Sequence, residues 1–228
     1  MELRRLTDRI WISPFDDARD RPTLGYIRGD RISLAVDAGH SRAHVEEFYA
    51  ALEGEGLPLP HMTVFTHWHW DHTFGAHAVH GLTLANARTQ AHLKSVLDNW
   101  DVRGGEEHFK NLDEHIALEY GEAHMVVRLA DLVMERPLTL DLGGVTARCL
   151  FLPSPHTDDP TFVLIPEEGV LFLGDAISGV YPTWVADPNL REEQIQALEG
   201  LDFQTAVGGH WEAFSREGLL KALREGIV

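Results

Sequence analysis

The chain opens on short apolar segments rather than long ones. RIWIS (9–13), TLGYIR (23–28) and RISLAV (31–36) have the length and β-branched content of strands, and a tight Gly29-Asp30 turn joins the last two. A helix is predicted from about Ser41 to Glu53, with Ser41 as its N-cap. HMTVFT (61–66) is an apolar strand, another helix starts near Asp71, and LTLANA (82–87) is again a strand. Residues 88–122 change period. TQAHLKSVLDNW and EEHFKNLDEHIALEY are amphipathic and helical, and Gly104-Gly105 divides them. Beyond them the pattern returns to β in LTLDL, VTARCLFL, TFVLI and VLFLG, and QTAVGG forms a last strand between helices NLREEQIQALEGL and SREGLLKALREGI. No repeat, low-complexity tract or Pro/Gly/Ser linker interrupts this order. Two similar halves of strands and helices predict one α/β (α+β) domain over 1–228, an αββα sandwich of two sheets face to face with helices outside and a helical insertion at about 88–122.

Composition narrows the function. Hydrophobic residues at 44% and charged residues at 24% describe a globular chain able to bury a core. No apolar run reaches the roughly 18–20 residues that cross a bilayer, and MELRRLTDRIWISP does not read as a signal peptide, so a cytoplasmic location is the expectation. The lone cysteine, Cys149, lies in an apolar strand and is expected to be an inert core residue. A formal charge of −17 argues against a nucleic-acid partner, because phosphate backbones are bound through Lys and Arg. It favours solubility and retention of metal cations. The fourteen histidines become informative through their grouping.

The sharpest group is Thr66-His67-Trp68-His69-Trp70-Asp71-His72, directly after an apolar strand and before a helix. A loop at a strand end is where side chains can converge on one point above a rigid scaffold. His67 and His69, two apart on extended backbone, face the same way, while Asp71 and His72 lie past the turn and can address a second ion. Imidazole with carboxylate suits zinc, iron, manganese or nickel. A histidine-rich surface loop is the bland alternative, and the full H-x-H-x-D-H string after a strand makes it a poor one.

This string resembles the signature of the metallo-β-lactamase superfamily, over roughly residues 9–215. His156 in Ser154-Pro155-His156-Thr157, Asp175 after VLFLG, and His210 in Gly208-Gly209-His210 fall where that family has its third histidine, bridging aspartate and last histidine; Asp37 resembles its early supporting aspartate. The resemblance implies one metal held by His67, His69 and His156, a second by Asp71, His72 and His210, and Asp175 between them. It implies two divalent transition-metal ions, zinc first, with iron or manganese as alternatives. Pro155 and Asp159 stand where the family's G-H-T-x-G motif has glycines, so the glyoxalase II pattern is not matched, and position 175 is aspartate where some β-lactamases have cysteine.

Two such ions lower the pKa of bound water to near neutrality. Asp71 is the expected catalytic group, orienting the attacking hydroxide. The expected activity is hydrolysis of a small-molecule ester, lactone or thioester, with a mononuclear iron persulfide dioxygenase-like oxidoreductase and a phosphodiesterase as the alternatives, and a non-catalytic binding module behind them. Tyr181, Trp184 and Trp70 are the aromatic residues best placed by sequence to touch substrate. The segment 88–122 is expected to cover the substrate, or else to pair with a second copy as a homodimer, with Leu93, Val96, Leu97, Phe109, Leu112, Ile116 and Leu118 on its packed face.

Overall fold

The computed structural model describes all residues 1–228. Its strands are β1 (Arg4–Arg5), β2 (Ile10–Ile12), β3 (Gly25–Arg28), β4 (Ser33–Val36), β5 (Met62–Val64), β6 (Leu82–Asn86), β7 (Leu132–Met134), β8 (Leu138–Asp141), β9 (Thr146–Leu150), β10 (Phe162–Ile165), β11 (Val170–Gly174), β12 (Thr205–Gly208) and β13 (Phe214–Ser215). Its helices are α1 (Arg42–Gly54), α2 (Trp70–Thr73), α3 (Ala87–Asp98), α4 (Gly105–Lys110), α5 (Glu114–Tyr120), α6 (Pro188–Glu199) and α7 (Arg216–Glu225). The first seven strands form one sheet in sequence order, and the other six form a second in the order β13-β12-β11-β10-β9-β8. The predicted sandwich of two sheets with outer helices is the observed architecture.

Period-two patterning explains why the sheets stack. Leu34 and Val36 of β4 point between the sheets, as do Val163 and Ile165 of β10 and Val170 and Phe172 of β11, with Cys149 among them. The alternate residues Phe162, Leu164, Leu171 and Leu173 face outward onto Ile195 and Leu198 of α6 and Leu219 and Leu223 of α7. Ala35 faces outward onto Phe48 and Leu52 of α1. Strands buried on both faces read as unbroken apolar runs, which is the reason VLFLG and TFVLI carry no visible alternation. Burial pushes the Cys149 thiol up to about 12, consistent with an inert core side chain.

Ser41 caps α1 as expected, its side chain accepting from the His44 amide. Three short strands escaped the sequence reading. β1 and β13 are two-residue edges, and β7 pairs in parallel with β6 while its Leu132 and Val133 stay exposed, so neither length nor burial marked them. The second helical piece of 88–122 is two helices, because Asp113 caps a new one by accepting from the His115 amide. Leu93, Val96, Phe109 and Ile116 are buried, but Leu97 and Leu118 are exposed, a correction to the assumed packed face. The break at Leu112-Asp113 changes the helical phase, so a single projection through 106–120 misplaces Leu118.

The topology concentrates chain reversals at one edge. β4, β5, β6 and β7 run parallel, as do β11 and β12, so several carboxyl ends open onto the same rim.

Candidate metal centre

Each sequence-predicted site residue leaves the end of a strand. Asp37 follows β4, the 66–72 loop follows β5, His156 lies between β9 and β10, Asp175 follows β11, and His210 follows β12. The structure brings all of them together in two clusters, His67/His69/His156 and Asp71/His72/Asp175/His210, and within each cluster the donor atoms lie within 4.8 Å of one another.

The first cluster is three imidazoles with their nitrogens at 3.1 Å (His67 Nε2 to His69 Nδ1) and 3.0 Å (His156 Nε2 to His69 Nδ1). The outer nitrogens of His156 and His67 are already engaged. His156 Nδ1 donates to the Gly179 carbonyl at 2.7 Å, so its Nε2 presents a lone pair. Thr66 Oγ1 donates to Asp37 Oδ2 at 2.9 Å and therefore accepts from His67 Nδ1 at 3.1 Å, which leaves His67 Nε2 as a lone pair too. A single proton on His69 Nδ1 could satisfy one of these, not both. Three nitrogens about 3.3 Å apart are the edges of a tetrahedron of metal–nitrogen bonds of roughly 2.0–2.1 Å. Burial, with the neighbouring His156 adding to it, pulls His69 down to about 3, and burial also holds His67 well below its ordinary value; both are neutral, as metal-binding imidazoles must be.

In the second cluster His72 Nε2 is 3.0 Å from Asp71 Oδ2 and 3.4 Å from Asp175 Oδ1, and His210 Nε2 is 3.1 Å from Asp71 Oδ2 and 3.6 Å from Asp175 Oδ2. His72 Nδ1 donates to Asp37 Oδ2 at 2.8 Å, so its Nε2 faces inward. That nitrogen and Asp175 Oδ1 are buried with no hydrogen-bond partner. Buried polar atoms are rarely left so, and a cation is the group this donor set fits. Burial opposes ionisation of Asp71, but the charges of His72 and His210 outweigh it and hold the carboxyl well below its ordinary range. Asp175 is likewise held down, to about 2, by His210 and His72 against its burial. His210 is pushed up to about 9: burial opposes, and the Asp175 charge with the Asp71 hydrogen bond wins.

Asp37 ties the two clusters together. It accepts from the Thr66 amide at 2.7 Å, from Thr66 Oγ1 and from His72, so one buried carboxylate orients His67 through Thr66 and His72 directly. Backbone geometry is equally tight. A Cβ on Gly209 would fall 2.1 Å from Asp175 Oδ1, and one on Gly174, whose φ is +53°, would fall 2.3 Å from Thr66 Oγ1.

A cavity of about 300 Å³ adjoins the clusters, lined by His69, Asp71, Asp175 and His210 together with Trp70, Tyr181 and Trp184. All three aromatic residues singled out in the sequence lie there: Tyr181 sits edge-on to Trp70 at 5.2 Å, and Trp184 stacks over His156 at 6.2 Å and 8°. Phe109 and Tyr120 are instead buried behind Trp70 and Phe74, with Trp100 partly buried against them. Asp20, Asp113 and Ser178 also line the cavity and were not foreseen, since an aspartate in DDARD or at a helix start carries no signal without its neighbours in space. Asp20 Oδ2 accepts from Trp70 Nε1 at 2.7 Å, and burial together with the Asp71 charge pushes its carboxyl up to about 7. A larger groove of about 960 Å³ meets this cavity at His69 and Tyr181, with Trp68, Phe151, Pro155 and Leu190 along it.

Residues 23–220 match the family model of the Metallo-beta-lactamase superfamily. A curated relative, the atrochrysone carboxyl ACP thioesterase of Aspergillus fumigatus, is 26% identical over 179 residues, 78% of this chain and 46% of the relative. The chain thus spans about half the length of the curated relative it matches. Among solved structures, a metallo-β-lactamase from Pontibacter korlensis is similar with a TM-score of 0.69 and 18% identity over 98% of both chains. A sec-alkylsulfatase from Pseudomonas sp. reaches 0.72 at 14% identity, over 98% of this chain and 40% of its own. These structural likenesses speak to the fold alone.

Proposed function

The chain belongs to the metallo-β-lactamase superfamily, and from that premise we propose that it is a dinuclear metal-dependent hydrolase acting on a small ester, lactone or thioester. The observation that carries the reading is the pair of buried donor clusters, three imidazoles in one and two imidazoles with two carboxylates in the other, with His72 Nε2 and Asp175 Oδ1 left without a hydrogen-bond partner. The thioesterase relative is the reason for testing thioesters first among the three.

Ions held by His67, His69 and His156 and by Asp71, His72, Asp175 and His210 would supply Lewis acidity and a water acidified to near neutrality. The residues do the rest. Asp71, ionised at any physiological pH, can accept a hydrogen bond from an attacking water and fix its orientation. Ser178 and Gly179 hold the His156 ring through its Nδ1 and keep the imidazole face toward Trp184. The rings of Trp70, Tyr181 and Trp184 exclude water from the carbonyl and offer it an apolar wall. A phosphodiesterase is less well supported, because no Lys or Arg side chain lines the cavity to meet a phosphate.

Elemental analysis after metal-replete expression should give close to two transition-metal ions per chain, most readily zinc. The same protein, assayed on chromogenic thioesters, esters, lactones, phosphodiesters and β-lactams, should turn over one of the first three classes and lose that activity on chelation. One iron per chain with oxygen-dependent turnover would overturn the proposal in favour of the persulfide dioxygenase-like reading.

A further inference from the structure

We propose that the 300 Å³ cavity selects acyl groups by charge: it admits neutral or cationic acyl groups that present a hydrogen-bond donor and rejects anionic ones, with Asp20 and Asp113 as the selecting residues. The inference rests on the hydrolase reading and specifies its substrate.

The lining has two parts. Next to His69 stand Asp71 and Asp175, which belong to the donor clusters. Trp70, Tyr181, Trp184 and Trp211 form aromatic walls beside them, and Asp20 and Asp113 are the charged groups among these. Both carboxylates line the same cavity as Tyr181, whose hydroxyl burial and then these two charges raise above the ordinary value. No lysine or arginine side chain lines the space. Nor is the Tyr181 hydroxyl proton free to quench either charge, since it donates to the Leu112 carbonyl at 3.2 Å.

Each carboxylate is fixed in place and has an oxygen to spare. Asp20 sits in the left-handed region at φ +50°, its carbonyl accepts from buried His40 at 2.9 Å, and the next residue, Arg21, is locked to buried Glu119 at 2.8 Å. Its Oδ2 is held by Trp70, which leaves Oδ1 for a ligand donor. Asp113 Oδ1 caps α5, which leaves Oδ2. A hydroxyl, amide N–H or ammonium on an acyl group would find two preorganised acceptors between aromatic faces. A carboxylate placed against that wall would meet two like charges with no lysine or arginine beside them in a half-enclosed space.

The larger groove, which meets this cavity at His69 and Tyr181, leaves room for the departing alcohol or thiol arm, so the charge rule applies to the acyl side only.

The test uses metal-loaded protein and S-phenyl thiobenzoates carrying para methyl, hydroxy, aminomethyl or carboxylate groups, with rates normalised to their alkaline hydrolysis. The carboxylate should be disfavoured against methyl by roughly tenfold or more in kcat/KM, mostly through KM. Asp20→Asn and Asp113→Asn keep the left-handed backbone and the helix cap, and together they should shrink that gap to about threefold or less. Binding of the matching benzamides, read by quenching of tryptophan fluorescence, should give the same order without turnover. If none of these thioesters is hydrolysed, the ester and lactone assays judge the hydrolase reading and the benzamide order alone judges this proposal. Equal binding of the methyl and carboxylate benzamides by the wild type would overturn it, as would an unchanged gap in the double variant. A penalty that follows a carboxylate on the thiophenol instead would overturn the acyl assignment.

Discussion

Asp37 shows how much one side chain can decide. It accepts three hydrogen bonds while fully enclosed, and its backbone is left-handed at φ +66°, a region that Asn and Asp tolerate and Ala does not. Asp37→Ala would strand the Thr66 amide and hydroxyl and the His72 ring, and should destabilise the protein by about 2–4 kcal/mol in urea denaturation. Asp37→Asn keeps the backbone and part of the network. It should cost less stability yet weaken metal retention roughly 10- to 100-fold in competition with a chelator, because both His67 and His72 take their orientation from this carboxylate. Unchanged metal retention in Asp37→Asn would refute that linkage.

At the scale of elements, α5 is a clamp more than a decoration. Its last turn carries Glu119, paired with Arg21 and accepting from Ser41 Oγ, and Tyr120, whose hydroxyl donates to the His40 carbonyl. These bonds join the helical segment to the start of α1 and to the loop that presents Asp20. Removing one partner of a buried ion pair leaves an uncompensated charge. Glu119→Ala should therefore cost about 3 kcal/mol or more and loosen the Asp20 loop, even though Arg21 retains Glu47 at 3.0 Å. A loss below about 1 kcal/mol in denaturant titration would show that Glu47 and solvent suffice. The proposal that 88–122 covers the substrate is supported by Asp113 and by the contact of Leu112 with Tyr181, and qualified by Phe109, Ile116 and Tyr120, which pack with Trp70 and Phe74 beneath the metal loop.

For the molecule as a whole, acid is the natural stress. His44, in the first turn of α1, is buried with Nε2 unpartnered, and burial holds it well below its ordinary value, with Arg21 adding to the effect; buried His40 is lowered too, also by burial. The sign follows from linkage. Above the unfolded value of about 6.5 both states are neutral at this position and it contributes no pH dependence; below it the unfolded chain takes up a proton that the native state refuses, so stability falls as pH falls. Between pH 6 and 4.5 His44→Gln should reduce the slope of unfolding free energy against pH by up to about 1.4 kcal/mol per unit. Parallel wild-type and variant curves would show that His44 is not a source of the acid sensitivity.

The sequence by itself determined the order of the longer strands and helices, the sandwich class and the H-x-H-x-D-H string, because period-two and period-3.6 patterning and a string within one loop are written locally, while His156, Asp175 and His210 were picked out through the family resemblance. Short edges such as β1 and β13 were beyond it, since two-residue strands exist only through their partners. So was the acidic wall of the cavity. Asp20 and Asp113 are 93 positions apart, and nothing local distinguishes them from a loop aspartate and a helix cap. Only the tertiary structure decided that they share one aromatic pocket, because the buried Arg21–Glu119 pair draws α5 onto the loop before β3. That contact depends on two chain segments meeting in space, and no pattern within either one encodes it.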